Sequence, residues 1–206
     1  MQGLEDILRT AGYGHIAGVD EAGRGSLAGP VVAAAVLVEP GPIVPGVDDS
    51  KHLSAPQREY LAQLIRRAHP VSAVVAVSPQ DIDRMNILQA TRQAMARAVA
   101  RLDRTPEIAL IDAVRVDLSA AGRSIPCLPV IRGDQISYAI ACASILAKVQ
   151  RDRMMVDLDR LYPHYGFAAN KGYGAARHRQ ALADHGPCVA HRLTFRSVLP
   201  RTGTEG

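Results

Sequence analysis

The sequence predicts an α/β fold, a mixed β-sheet covered by helices. Three observations lead there. Short valine-, isoleucine- and alanine-rich runs recur at strand length. The first two are joined by a compact glycine-rich turn, which favours antiparallel pairing. Later runs alternate with longer segments of helical spacing, which favours parallel pairing.

Taken in order, residues 14–20 and 31–38 read as two strands around that turn. Residues 39–49 hold three prolines and two glycines and read as a loop. Ser54 with Gln57 three residues on is a capping-box pattern, so a helix runs to about His69. Valine-rich residues 71–77 form a third strand, and Pro79 opens a short helix. Asn86 with Gln89 caps a longer helix ending near Leu102. Residues 107–112 and 127–131 are the fourth and fifth strands. An alanine-rich helix spans about 137–161, with Ile140, Ser144, Ala147 and Val149 assigned to its apolar face, and a last helix lies within 175–185. With no internal repeat and no long linker, residues 1–198 are expected to form one domain and 199–206 a flexible tail.

Composition narrows the function. A 206-residue chain with 48% hydrophobic residues can build a full core without disulfides. Cys127, Cys142 and Cys188 are far apart and odd in number, which predicts reduced, mostly buried thiols rather than a disulfide framework. The acidic N-terminus (Glu5, Asp6) argues against a signal peptide, and the longest apolar run is too short for a bilayer. A net charge of +4 favours an anionic partner. Aromatics at 4%, with no Trp, disfavour extensive base stacking and point to a duplex held by backbone and shape.

The most informative segment is Gly18-Val19-Asp20-Glu21-Ala22-Gly23-Arg24-Gly25-Ser26-Leu27-Ala28-Gly29-Pro30. Adjacent carboxylates end an apolar run, and a loop alternating Gly, Arg and Gly follows. Carboxylates are hard ligands for a divalent metal. Gly23 and Gly25 lack Cβ atoms, which lets a phosphodiester approach the main chain, and Arg24 offers a fork of donors for phosphate. Asp112 ends a second strand, and Asp134 follows a third strand and a glycine. Strand carboxyl ends are where ligands gather in such sheets, so Asp20, Glu21, Asp112 and Asp134 are the candidate site. Taken alone, Asp134 reads better as a helix N-cap, and Asp112 fits a solvated strand end equally well. Adjacent strand residues point to opposite faces, so Asp20 and Glu21 can share a site only if the strand ends or bends there. Asp152 and Asp157 read as surface ion-pair partners of Arg151, Arg153 and Arg160 and are left out of the site.

Together with Asp49-Ser50-Lys51, Leu110-Ile111-Asp112, Gly133-Asp134, the run from Ala143 to Val149, Arg151-Asp152-Arg153, Tyr165-Gly166-Phe167, Lys171-Gly172-Tyr173 and His191-Arg192, this segment resembles the bacterial ribonuclease HII family of type 2 ribonucleases H. The resemblance runs nearly end to end. It implies a ribonuclease H-like fold: a five-stranded mixed sheet flanked by helices, with a helical C-terminal part from about residue 150. It implies a metal-dependent endoribonuclease that cuts the RNA strand of RNA–DNA hybrids and the 5′ side of ribonucleotides embedded in duplex DNA, leaving 5′-phosphate and 3′-hydroxyl ends. Asp20, Glu21, Asp112 and Asp134 would be both catalytic and metal-ligating, with Mg2+ or Mn2+ in a two-metal arrangement. Gly23, Arg24 and Gly25 would read the 2′-hydroxyl, Tyr173 the adjoining sugar, and Lys51, Lys148 and Lys171 backbone phosphates. A cytoplasmic, monomeric protein in ribonucleotide removal is expected. Departures from the family pattern are Ser26 for a frequent Pro, His52 for Lys, Ala113 for Gly, and Cys142 within an alanine-serine run. Two other classes compete. In a nucleotide-cofactor enzyme the glycine loop would open a helix. A noncatalytic hybrid-binding module would suit the basic charge but not clustered carboxylates.

Overall fold

A computed structural model describes residues 3–41, 43–47, 53–119 and 125–199. Lys51 and His52 lie outside the described residues, as do 200–206 of the expected tail.

Five strands form one sheet: β1 (Ile16–Ala22), β2 (Val31–Val38), β3 (Ser72–Val77), β4 (Ile108–Asp112) and β5 (Cys127–Val130), in the order β3-β2-β1-β4-β5. β1 pairs antiparallel with β2, and β2 with β3; β4 runs parallel to β1, and β5 to β4. The mixed pairing follows from connection length. A short turn permits only antiparallel return, whereas a helical crossover permits parallel return.

The helices are α1 (Gly3–Thr10), α2 (Ala55–Ala68), α3 (Pro79–Met85), α4 (Ile87–Ala100), α5 (Gly133–Ile136), α6 (Tyr138–Leu161), α7 (Phe167–Asn170) and α8 (Ala176–His185). The capping box at Ser54 is present in both directions, and Asn86 accepts from the Gln89 amide as read. One sheet face packs Ala17, Val19, Ala33 and Ala35 against Ala90, Ala94, Met95 and Ala98 of α4. The other packs Ala34, Val36 and Val38 against α2 and α6. A separate cluster, with Met155, Tyr165, Phe167, Ala181 and Leu182, gathers the C-terminal helices around the end of α6.

Two sequence expectations need correction. Helix α6 has no single apolar face in its first half, because every residue from Tyr138 to Ala147 is buried. It lies between the sheet and α2, so small side chains replace a stripe. Helix α1 was not anticipated. Its acidic Glu5 is fully buried, and Oε1 accepts from Ser137 Oγ at 2.6 Å and the Ala139 amide at 2.9 Å. A carboxylate there satisfies free amides and complements the dipole at the N-terminus of α6.

Cys142 is buried, Cys127 and Cys188 are half-buried, and all three are free thiols. Among the described residues, no helix is long and apolar enough to cross a membrane.

Ala113 sits at φ 48°, directly after β4. An L-residue in that region costs about 1–2 kcal/mol, partly offset by the greater chain entropy glycine loses on folding. Ala113→Gly is expected to stabilise the protein by about 0.5–1 kcal/mol. Urea unfolding should show a raised midpoint at unchanged slope.

Candidate active site

Strand β1 does not end at Asp20. It continues through Glu21 to Ala22, with Asp20 opposite Ala34 and Glu21 opposite Ala33 on β2. The expected bend is absent, and the two carboxylates leave opposite faces of the strand. Asp20 faces α6, where it hydrogen-bonds Ser144, and its Oδ1 also accepts from the Glu21 amide at 2.7 Å. Glu21 Oε1 lies 3.7 Å from Arg24 Nη1. Their side chains nonetheless hydrogen-bond each other, and Asp112, at the end of the neighbouring parallel strand, lies beside both. Burial, then Glu21 and Asp112, push the Asp20 carboxyl well above its usual range. Burial also raises Glu21, with Arg24 opposing and Asp112 adding to the rise.

Asp112 Oδ1 accepts from the Gly133 amide at 2.7 Å. Asp134 is the next residue and is buried. It is not a helix N-cap. That position belongs to Arg132 for α5 and to Ser137 for α6. The cluster therefore joins Asp20, Glu21 and Asp112, and the Gly133 contact places Asp134 next to it.

The turn after β1 is held from below by two guanidinium groups, each with 0% exposure. Arg192 donates to the carbonyls of Gly23 (2.7 Å), Arg24 (2.9 Å) and Gly29 (3.0 Å). Arg151 donates to Pro30 O (3.1 Å), Ala28 O (3.3 Å) and Ser26 Oγ (2.7 Å). The carbonyls are thus turned inward. Among the described residues, no acceptor takes the amides of Gly23, Arg24 and Gly25. The turn, exposed at Arg24 and Gly25, thus keeps amide donors uncommitted beside an acidic cluster, which suits an anion or a hydroxyl. Strand β2 follows this turn, not a helix, so the geometry of a dinucleotide loop is missing.

The two glycines differ. Gly23 has φ +87°, and a Cβ there would overlap Arg151; around Gly25 a Cβ would meet nothing, and its φ is ordinary. Ser26, in place of a frequent Pro, is fully buried and uses its hydroxyl twice, accepting from Arg151 and donating to Gly23 O at 2.8 Å.

Tyr173 is 43% exposed, with the Arg151 guanidinium 5.5 Å from its ring centroid. It is therefore no core anchor. Lys148 and Lys171 share one open cleft with Arg58 and Arg153. Lys148 is paired with Asp152 at 2.8 Å, and Lys171 Nζ donates to Ala168 O at 2.6 Å. Either lysine must leave its partner to meet a phosphate. Asp152 pairs with Lys148 and Arg58 rather than with Arg151 or Arg153; Arg153 pairs with Glu59, and Asp157 with Arg160 as expected.

Sequence reasoning missed Ser144, Arg151 and Arg192 as parts of the site. Position held a signal: Arg151 falls seven residues after Ser144, two turns along the buried face of α6.

All the candidate ligands are oxygen donors, the set that hard Mg2+ or Mn2+ prefers. Glu21 Oε2 is buried and hydrogen-bonded to no described atom, and Asp20 is costly to ionise without a nearby cation. These features fit a divalent metal. Among the described residues, no three His, Cys, Asp or Glu side chains form a ready-made ligand group. Asp20 and Glu21 leave opposite strand faces, yet their side chains hydrogen-bond each other, so the two carboxyl groups already converge.

The family profile described as Ribonuclease HII matches residues 17–198. Ribonuclease HII of Geobacter metallireducens is 51% identical over 195 residues, 95% of this chain and 90% of that protein. Ribonuclease HII of Nitratidesulfovibrio vulgaris is 52% identical over 196 residues, 92% and 89% of the two chains. The crystal structure of the ribonuclease H2 from Pyrococcus horikoshii OT3 superposes with a TM-score of 0.79 at 26% identity, covering 89% of this chain and 95% of that one.

Two predictions follow from this geometry. Gly23→Ala combines a left-handed φ with overlap on a buried guanidinium and should cost about 2–4 kcal/mol. Gly25→Ala should stay within about 1 kcal/mol of the parent, and paired thermal melts read the contrast. The second concerns charge. Asp20 has a raised carboxyl pKa in the fold, so ionising it opposes folding. That penalty is absent below the unfolded-state value of about 3.9 and complete above the folded-state value. In chelator at pH 7.5, Asp20→Asn should melt higher than the parent, with the difference closing as pH falls towards about 4.

Proposed function

This chain belongs to the ribonuclease HII family, and we propose that it is a divalent-metal-dependent endoribonuclease working through Asp20, Glu21, Asp112 and Asp134. It cleaves the RNA strand of RNA–DNA hybrids. The finer reading is cleavage on the 5′ side of ribonucleotides embedded in duplex DNA, leaving 5′-phosphate and 3′-hydroxyl ends, in the service of ribonucleotide removal. The observation that carries this reading is the clustering of Asp20, Glu21 and Asp112 beside a turn whose amides take no acceptor among the described residues.

Mg2+ or Mn2+, held by the four carboxylates, would supply Lewis acidity at the scissile phosphate and, as a pair, a clamp on the attacking and leaving oxygens. The protein's own groups do the rest. Ser144 and the Glu21 amide aim Asp20, and the Gly133 amide aims Asp112. The amides of Gly23, Arg24 and Gly25 supply donors for the 2′-hydroxyl, which marks RNA against DNA. A methyl at Gly25 would project into the space this sugar needs. Arg24, exposed and within reach of Glu21, can meet a phosphate as substrate arrives. The half-exposed Tyr173 ring offers a flat apolar surface for the neighbouring deoxyribose. Lys148 and Lys171 extend the contact along the backbone by exchanging protein partners for phosphates, and Lys51 is assigned to a backbone phosphate as well. The protein acts as a monomer in the bacterial cytoplasm on nucleic acid. A noncatalytic hybrid-binding role is disfavoured, because clustered negative charge repels phosphate unless a cation is present.

The test uses three otherwise identical duplexes: all DNA, DNA with one ribonucleotide, and RNA–DNA hybrid, each with Mg2+, Mn2+ or chelator. Cleavage of the two ribonucleotide-containing duplexes should require metal. Asp134→Asn should lower the rate at least about a hundredfold, the scale of losing one group that stabilises transition-state charge. Gly25→Ala should lower ribonucleotide cleavage far more than affinity for all-DNA duplex. Full activity in Asp134→Asn would remove that residue from the site. Equal losses for both duplexes in Gly25→Ala would mean that the turn holds phosphate without reading ribose.

A further inference from the structure

His191, which precedes Arg192, and His178 take no part in the chemistry above, yet both imidazoles are buried in the C-terminal cluster. The Cys188 amide donates to His191 Nδ1 at 3.0 Å, His191 Nε2 lies 3.0 Å from His178 Nε2, and His178 Nδ1 lies 2.9 Å from the Tyr173 carbonyl. Valence fixes the protons along this chain. A carbonyl can only accept, so His178 carries its proton on Nδ1 and leaves Nε2 bare. An amide can only donate, so His191 has a bare Nδ1 and its proton on Nε2. The Cys188 carbonyl, which takes the His191 amide at 3.0 Å, and Cys188 Sγ both lie 3.3 Å from the same Nδ1; the amide contact at 3.0 Å is the shortest of the three and sets the tautomer. Three hydrogen bonds thus run in one direction, from Cys188 through both rings to Tyr173. A second proton on either ring would set N–H against N–H. Burial keeps both rings neutral, pushing His178 down and, with His178 beside it, His191 to about 4.

The next residue reaches the other half of the site. Arg192 holds the carbonyls of Gly23 and Arg24, and its own amide donates to Leu27 O at 2.9 Å. The Leu27 amide in turn donates to Gly172 O at 2.8 Å, one residue before Tyr173. The dipeptide therefore grips the glycine turn with one side chain and the Tyr173 main chain, through His178, with the other.

We propose that His178 and His191 are positioning residues that fix Tyr173 in register with the Gly23–Gly25 turn, so that ribose and the adjoining deoxyribose are read as one unit. Their role is selectivity for a ribonucleotide flanked by DNA over a uniform hybrid. The inference rests on the reading of Tyr173 and the glycine turn given above.

The experiment compares the parent with His178→Phe, which keeps aromatic packing against Tyr165 and Phe167 and removes the relay. It adds His191→Gln, which keeps a side-chain N–H for His178, His191→Leu, which does not, and Tyr173→Ala. Thermal melts establish folding. The main readout is the ratio of cleavage of single-ribonucleotide duplex to RNA–DNA hybrid. Histidine 15N spectra at neutral pH and hydrogen exchange of the Leu27 amide read the relay and the turn directly. The expected result is a Nδ1–H tautomer at His178 and Nε2–H at His191. The ratio should fall by about five- to tenfold in His178→Phe and His191→Leu, the scale of one hydrogen bond, with faster Leu27 exchange. It should be largely retained in His191→Gln. If His178→Phe does not fold, the Gln–Leu contrast at His191 decides. A different tautomer pair, or an unchanged ratio in folded relay variants while Tyr173→Ala lowers it, overturns the proposal. An unchanged ratio in Tyr173→Ala itself would instead overturn the underlying reading of Tyr173.

Discussion

At Gly18 strand β1 has no room for a side chain, because a Cβ there would overlap the backbone of Ala139 and Ile140 on α6. Helix and strand meet main chain to main chain, and the positions of the site are consequences of that contact. Two residues along β1, Asp20 meets Ser144 of the same helix. Two turns further along α6, Arg151 arrives beneath the glycine turn. Glu5 holds the start of the helix in place from α1. A larger residue at Gly18 would lift α6 from the sheet and displace carboxylate and guanidinium together.

The buried arginines solve a problem created by the turn. A loop that offers its amides to a ligand must dispose of its carbonyls inside the protein, where an unpaired carbonyl is costly. Arg151 and Arg192 take five of them, together with the Ser26 hydroxyl. Burying two guanidiniums is itself expensive. Desolvation, with Arg151 nearby, lowers Arg192 to about 9, and desolvation lowers Arg151 as well. Charge-assisted hydrogen bonds offset that cost. The result is a turn whose donors are already oriented before substrate arrives, which suits recognition of a single hydroxyl.

The acidic cluster shows the opposite economy. Asp20, Glu21 and Asp112 raise one another's cost of ionisation, and Glu21 Oε2 is left buried without a partner. Folding alone gains nothing from this arrangement. A divalent cation held there, as proposed, would offset that cost and so couple stability to metal binding.

Much of the fold could be read in the sequence, because it depends on local signals. Ser54, Asn86 and Pro79 mark helix starts by their own hydrogen-bonding or φ preference, and the β1–β2 antiparallel pair follows from a turn too short for any other return. The four carboxylates stood out as strand-end acids beside an apolar run, with the family resemblance supplying the set. Other features depended on contacts remote in sequence. Arg151 looked like a surface residue until the turn after β1 was seen to cover it, and Lys148 looked available until Asp152 was seen beside it. The continuation of β1 through Glu21 and the link through Asp112 required β4 to lie next to β1. The direction of the protons from Cys188 to Tyr173 required two histidines, thirteen residues apart in sequence, to meet in a dry cluster. Sequence alone determined which elements form and which groups carry charge, since those follow from the residue and its near neighbours. Tertiary structure decided which polar groups are spent inside the protein and which remain for a substrate, since burial and partnership are properties of the packed chain.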